Sequence, residues 1–360
     1  MTGYDPSVSS RERVALVLHR VGALGAVMRL RGLAPVPPIA TILTYHPVAE
    51  PDAAYPYDPG VADATPAQFR RQLELLARHG TPIGIDDLVR AIDGAPLPKN
   101  PVMVTFDDGY RSCHDVALPI LRDVGLRATF FIATSYVTER RLYWWERIAI
   151  VLARARTPSA TLAYPVAIDV VARDPSTPAR LTDLIKDTPG LDVERFLTEL
   201  AAAFGVVWDR AIEAEHADRV VMTWAHVRAL AAAGMDVESH TRSHRVLQTL
   251  DADELHDELA GSRTELEREL GTRVRAIAYP VGRRIQREAR IREAIAAAGY
   301  RLGFSNASGS TRMWPAALRG VLPFDPFDVR RLSTERSMSD AMYFTQVAVP
   351  RLAYIGRHNR

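Results

Sequence analysis

Short apolar runs alternate with helix-period segments along most of this 360-residue chain, and that alternation constrains the fold most strongly. Apolar runs at 42–46, 102–106, 128–132, 236–240, 276–279 and 301–304 read as strands. Segments 66–79, 85–92, 117–123, 224–233, 252–270 and 291–298 carry the helical period, and Gly80 is expected to cap the first of them. Strands separated by helices pair in parallel, so an α/β sheet is expected, either open or closed into a barrel. The rhythm breaks at 146–220, where Pro158, Pro165, Pro175, Pro178 and Pro189 punctuate a mainly helical stretch. That stretch reads as an insertion.

The N-terminal 38 residues need separate treatment. Val14, Val17, Val21, Leu24 and Met28 follow helical spacing, which predicts one amphipathic helix over 12–31, followed by a linker holding Pro35, Pro37 and Pro38. His19 and Arg20 interrupt the apolar run, which is too short for the roughly 20 residues of a membrane span. No short apolar core with a small-residue cleavage site is present either. The helix is expected to pack on the main domain. Arg11, Arg13, Arg20, Arg29 and Arg31 also leave peripheral contact with anionic lipid open. The expected location is cytoplasmic, with or without that membrane contact. A formal charge of +2 gives no argument for a nucleic-acid partner, and Cys113, the sole cysteine, excludes an intrachain disulfide.

Two segments carry candidate chemistry. Thr105-Phe-Asp-Asp-Gly109 places Asp107 and Asp108 side by side at the end of an apolar run. Successive strand residues point to opposite faces, so both carboxylates can share a site only where the strand ends and turns. Gly109 supplies conformational freedom there. Taken alone, the segment is also ordinary turn chemistry. His240 and His244 stand four apart, the spacing at which a helical turn would project both rings from one face. A carboxylate with two imidazoles is a usual set for a catalytic zinc that keeps an open position.

With Ala278-Tyr-Pro-Val-Gly282 as a third segment, the order of motifs resembles the polysaccharide deacetylase family, with its NodB homology domain (carbohydrate esterase family 4). Leu43-Thr-Tyr-His-Pro-Val48, Phe130-Phe-Ile132 and the 298–305 stretch agree with it. The resemblance spans 39–335, counting the insertion, and leaves 336–360 as a C-terminal extension. It implies a distorted (β/α)7-type barrel, a divalent metal (zinc first, other first-row ions remaining open) and a carbohydrate or glycoconjugate substrate. The implied reaction is hydrolytic removal of an N-acetyl or similar acyl group. By position, Asp108, His240 and His244 match the metal ligands and Asp107 the general base. Alternatives are hydrolysis of another non-peptide C–N bond, such as a cyclic amide, or a non-catalytic glycan-binding relative. Retention of all four residues argues against the last.

The chain departs from the family pattern in two places. Many members supply a histidine acid from a Leu-x-His segment near the C-terminus, where this chain has Val329-Arg-Arg-Leu-Ser333; beyond His256 its only histidine is His358. His46, at the end of the first strand, is the expected substitute, against the plainer reading that it caps a turn before Pro47. His114 is a weaker candidate. An arginine that orients the base in many members is replaced by Ala278, and Arg331 is the expected partner for Asp107 instead. Backbone N–H groups near Tyr110 or Val281 are candidates for holding the oxyanion. Tyr279 is a further substrate candidate. Trp145 can stack on a sugar, though it, Tyr143, Trp144 and Trp224 are equally suited to core packing. Glu238 stands where relatives often carry glycine.

Overall fold

A computed structural model describes residues 9–33, 39–52, 55–307, 309, 311–312, 324–350 and 352. At its centre is a nearly closed parallel barrel. Ile39–Tyr45, Pro101–Phe106, Ala128–Ile132, Asp236–Ser239, Ala276–Ala278 and Leu302–Ser305 follow one another around it, each hydrogen-bonded to the next. Residues 329–333 supply the last stave. Val329–Arg330 pairs with Leu302–Ser305 on one side, and Leu332–Ser333 pairs with Ile39–Tyr45 on the other. The stave changes partner at Arg331, whose backbone N–H donates to the Ser305 carbonyl at 3.0 Å.

Strands covered on both faces need apolar residues at nearly every position. Pro101–Phe106 and Ala128–Ile132 are buried throughout. Strand alternation then sorts their side chains into two layers. Ile42, Met103, Phe131, Phe304 and Val329 form one core cluster. Tyr45, Phe106 and Phe130 turn the other way, into a larger cluster that includes Phe69 from the helix Pro66–His79. Phe106 and Phe130 stack at 4.8 Å.

Helices Pro66–His79 and Ile85–Ile92 occupy the predicted positions, the first opened by a capping box between Thr65 and Gln68. Gly80 ends that helix in extended geometry rather than a left-handed cap. Its small size serves a close approach instead, since a Cβ there would lie 2.4 Å from Val102 Cγ1. The predicted 252–270 helix is interrupted by a π-helical turn, Asp257–Gly261.

The single N-terminal helix expected over 12–31 is in fact two, Ser10–Arg20 and Ala23–Leu33, separated at Gly22 with φ +70°. Both contact the helix Asp340–Ala348, and Arg31 donates to the Val347 and Ala348 carbonyls. The break divides the expected apolar stripe. Leu24 and Met28 are buried, whereas Val14, Val17 and Val21 are 53%, 59% and 70% exposed. No helix among the described residues is long and apolar enough to cross a membrane. Pro35, Pro37, Pro38 and His358 lie outside the described residues.

The insertion is mainly helical, with Trp144–Ala153, Thr177–Asp187, Val193–Ala203 and Arg210–Val220. It also carries an antiparallel pair, Ser159–Leu162 with Ile168–Val171. Phe196, Leu197 and Leu200 join the larger core cluster, which fixes this segment against the barrel.

Candidate active site

Asp107 follows the strand Pro101–Phe106, two residues after Thr105, and is 2% exposed. Asp108 adopts φ +73° and Gly109 φ +100°, so the chain turns abruptly here. Aspartate tolerates that left-handed geometry better than most residues. The turn brings both carboxylates to the rim formed by the strand C-termini.

His240 and His244 do not sit on a helical turn, as their spacing suggested. The segment is an irregular loop in which Thr241 and His244 have φ +65° and +57°. Glu258, on the π-helical turn, holds that loop. Its Oε2 accepts the N–H groups of Arg242 and Ser243 at 2.8 and 2.9 Å, and its Oε1 accepts the Ser243 hydroxyl. Nothing near Glu258 in sequence announced this role, because it depends on how the 252–270 segment packs. The two imidazole centroids end 4.8 Å apart.

Asp108 Oδ1 lies 3.3 Å from His240 Nε2 and 3.4 Å from His244 Nε2. That oxygen is buried and makes no hydrogen bond among the described residues. His240 Nδ1 stands 2.9 Å from the Ala278 carbonyl, which requires a proton on Nδ1 and leaves the Nε2 lone pair facing Asp108. Burial lowers His244 to about 3, which keeps its ring neutral. A carboxylate oxygen and two nitrogen lone pairs converging in a buried space repel one another unless a cation lies between them. These three residues therefore fit a divalent metal with further coordination positions free.

Arg331 is fully buried and donates from Nη1 to Asp107 Oδ1 and from Nη2 to Oδ2, at 2.7 Å each. Burial opposes ionisation of Asp107, yet the Arg331 charge prevails and holds the carboxyl below its ordinary range. On the same rim, Asp63 Oδ2 accepts from the His46 backbone N–H at 2.7 Å and lies 2.8 Å from His46 Nδ1. Burial works against a charged His46, but Asp63, followed by Asp108 and Asp107, outweighs it and pushes the imidazole up to about 10. Asp63 went unrecognised in the sequence because it lies in a connection without regular periodicity.

A cavity of about 320 Å³ opens over these groups, lined also by Trp145, Val281, Asn306 and, from the insertion, Thr182 and Lys186. Trp145 lies against His244, with centroids 4.7 Å apart. Val281 has φ +63°, and Gly282 beside it has φ +68°. The Tyr110 and Tyr279 side chains do not line this cavity. Tyr110 is buried beneath Trp145, accepting from its Nε1 and donating to Glu146, and Tyr279 donates to the Phe327 carbonyl. His114 lies beside Asp115 and His226, and Trp224 donates to Thr138, both away from the cavity. Glu238 Oε2 accepts the Arg275 and Ala276 N–H groups and so ties two strands together. A larger cavity of about 530 Å³ beyond Trp144 contains none of Asp107, Asp108, His240 and His244, so the candidate site is the smaller one.

Fold and site together define a parallel barrel with an acid–histidine cluster on its C-terminal rim. The profile of the polysaccharide deacetylase family matches residues 94–163 and 199–303, and the chain belongs to that family. The match includes Asp107, Asp108, His240 and His244, while His46, Asp63 and Arg331 fall outside it. Membership supports an enzyme acting on acetylated carbohydrate. Among solved structures, a Streptococcus pyogenes deacetylase (PplD) with acetate is 18% identical, with a TM-score of 0.56 over 87% of this chain and 99% of that one. A Bacillus cereus polysaccharide deacetylase is 14% identical, with a TM-score of 0.53 over 87% and 69% of the two chains. A de-N-acetylase from Aggregatibacter actinomycetemcomitans is 16% identical, with a TM-score of 0.51 over 84% and 97%. These likenesses establish the shared fold. No curated protein matches the chain in sequence.

Proposed function

We propose that this protein is a metal-dependent N-deacetylase of a carbohydrate or glycoconjugate, with Asp108, His240 and His244 holding the ion, zinc first among the candidates. The observation that carries the reading is the buried, unpartnered Asp108 Oδ1 beside two imidazole Nε2 atoms, with the Arg331-clamped Asp107 next in sequence. Such an ion, when bound, acidifies water towards neutral pKa and polarises an acyl carbonyl.

Asp107, kept ionised by Arg331, takes a proton from the attacking water on a lone pair left free by the guanidinium. The water oxygen bonds to the acyl carbon and the C–N bond breaks. His46 is charged near neutral pH, and its Nδ1 is engaged by Asp63, so Nε2 delivers the proton to the departing amine. The Val281 N–H is a candidate donor to the oxyanion, and Trp145 forms a wall for the sugar.

The test is acetate release from N-acetylated amino sugars, with metal content measured in parallel. Chelation should abolish release and zinc should restore it, while Asp108→Ala should lose both metal and turnover. Full activity in metal-free protein would overturn the reading.

A further inference from the structure

Lys186 is one of only two lysines in a chain with 45 basic residues, and it lines the active-site cavity from the insertion helix Thr177–Asp187. Apart from Asp58, the other acidic groups of the cavity are either paired or part of the candidate metal cluster. Asp107 is clamped by Arg331, Asp63 holds His46, and Asp108 faces His240 and His244. Lys186 is half-buried and has no ion-pair or hydrogen-bond partner among the described residues. Asp187, next to it, is taken by Arg283, and Asp58, across the cavity, spends Oδ1 on the Gly60 N–H. Burial lowers the Lys186 pKa and Arg283 adds to it, against the opposing pull of Asp183, Asp187 and Asp58, none of which forms an ion pair with the ammonium.

We infer that Lys186 recognises an oxyanion, a phosphate or a carboxylate, carried by the same amino sugar whose acyl group is removed. This rests on the deacetylase reading above. The size of the cavity supports it. At about 320 Å³ it is at the small end of ligand sites, which run from about 300 to 1,000 Å³, and it has room for about one sugar unit beside the acid–histidine cluster. With the acyl carbonyl at Asp108, His240 and His244, an anion on the same ring or its first linkage shares the cavity that Lys186 lines. A free ammonium in a partly dry wall favours such a substituent over a neutral hydroxyl, because the charge-assisted bond is stronger.

The test compares N-acetylglucosamine 1-phosphate, N-acetylmuramic acid and neutral methyl N-acetylglucosaminide with wild-type protein, Lys186→Met and Lys186→Arg. Wild type should prefer one of the two anionic sugars, and which one identifies phosphate or carboxylate. Lys186→Met should reduce the anionic-to-neutral ratio of kcat/KM about ten- to hundredfold, the contribution of one charge-assisted hydrogen bond. Lys186→Arg should recover part of that ratio, with metal content unchanged in both variants. A wild-type preference for the neutral sugar, or an equal loss on all three in Lys186→Met, would overturn the inference. If no sugar releases acetate, the deacetylase reading fails. Calorimetric binding of N-acetylglucosamine 1-phosphate then decides the charge recognition separately: equal affinity in wild type and Lys186→Met sinks it, and weaker binding to the variant sustains it.

Discussion

Arg331 grips both carboxylate oxygens of Asp107 at 2.7 Å, although 224 residues separate them in the chain. The guanidinium arrives from the stave that closes the barrel. Closing the fold and holding Asp107 ionised are thus one structural event.

Arg331→Met should be costly on both counts. It leaves Asp107 buried without its cation, a loss of about 3–5 kcal/mol, readable by chemical denaturation. Without the positive charge the Asp107 pKa rises, so the acidic limb of the kcat/KM profile should move to higher pH. Arg331→Lys keeps a charge but not the two-pronged grip and should recover only part of either loss. An unshifted acidic limb in Arg331→Met would separate Asp107 from the role of base.

His46→Ala should lower turnover about 100-fold or more while leaving bound metal intact. Asp63→Asn tests the same pair through pH. An acid must be protonated to act, so activity falls as pH rises through its pKa. With Asp63 ionised that pKa is about 10; without the carboxylate, burial pulls it down, and the alkaline limb should move to lower pH. Near-native turnover in His46→Ala would remove it from the mechanism.

Glu146 gives a stability prediction. Burial pushes its carboxyl up to about 7, against hydrogen bonds from the Asp58 N–H and the Tyr110 hydroxyl. A raised acid pKa favours the folded state fully below the ordinary value near 4.5, and that contribution fades as pH rises through about 7. The melting temperature should therefore drop between pH 5 and pH 9 by more in wild type than in Glu146→Gln. Parallel melting curves for the two proteins would contradict it.

Gly282→Ala probes the turn beside the cavity. Its φ is +68°, and an added Cβ would sit 2.3 Å from Asn306 Cβ. The backbone conformation alone costs an alanine about 1–3 kcal/mol. Because Asn306 lines the cavity, KM should rise together with the loss of stability. Unchanged stability and KM would show that the turn relaxes freely.

Local chemistry made much of this protein legible in its sequence. Strand and helix period placed Pro66–His79, Ile85–Ile92 and Ala128–Ile132 where they form, because periodicity reports which face of an element is buried. The motif residues Asp107, Asp108, His240 and His244 were readable for a similar reason: each pair is set within a few residues by the end of one strand. Tertiary structure alone decided how those pairs meet. The histidines share a site through left-handed turns held by Glu258 rather than through a helix, and the 12–31 segment breaks at Gly22 where one helix was expected. His46 finds Asp63 through a bridge between Val48 and Ala64 that folds the connection back on itself, and Lys186 enters the cavity because the insertion docks beside the rim. Periodicity determines which face of each segment is buried, but the partner across that face is chosen by packing of the whole chain, as Arg331 and Asp107 show.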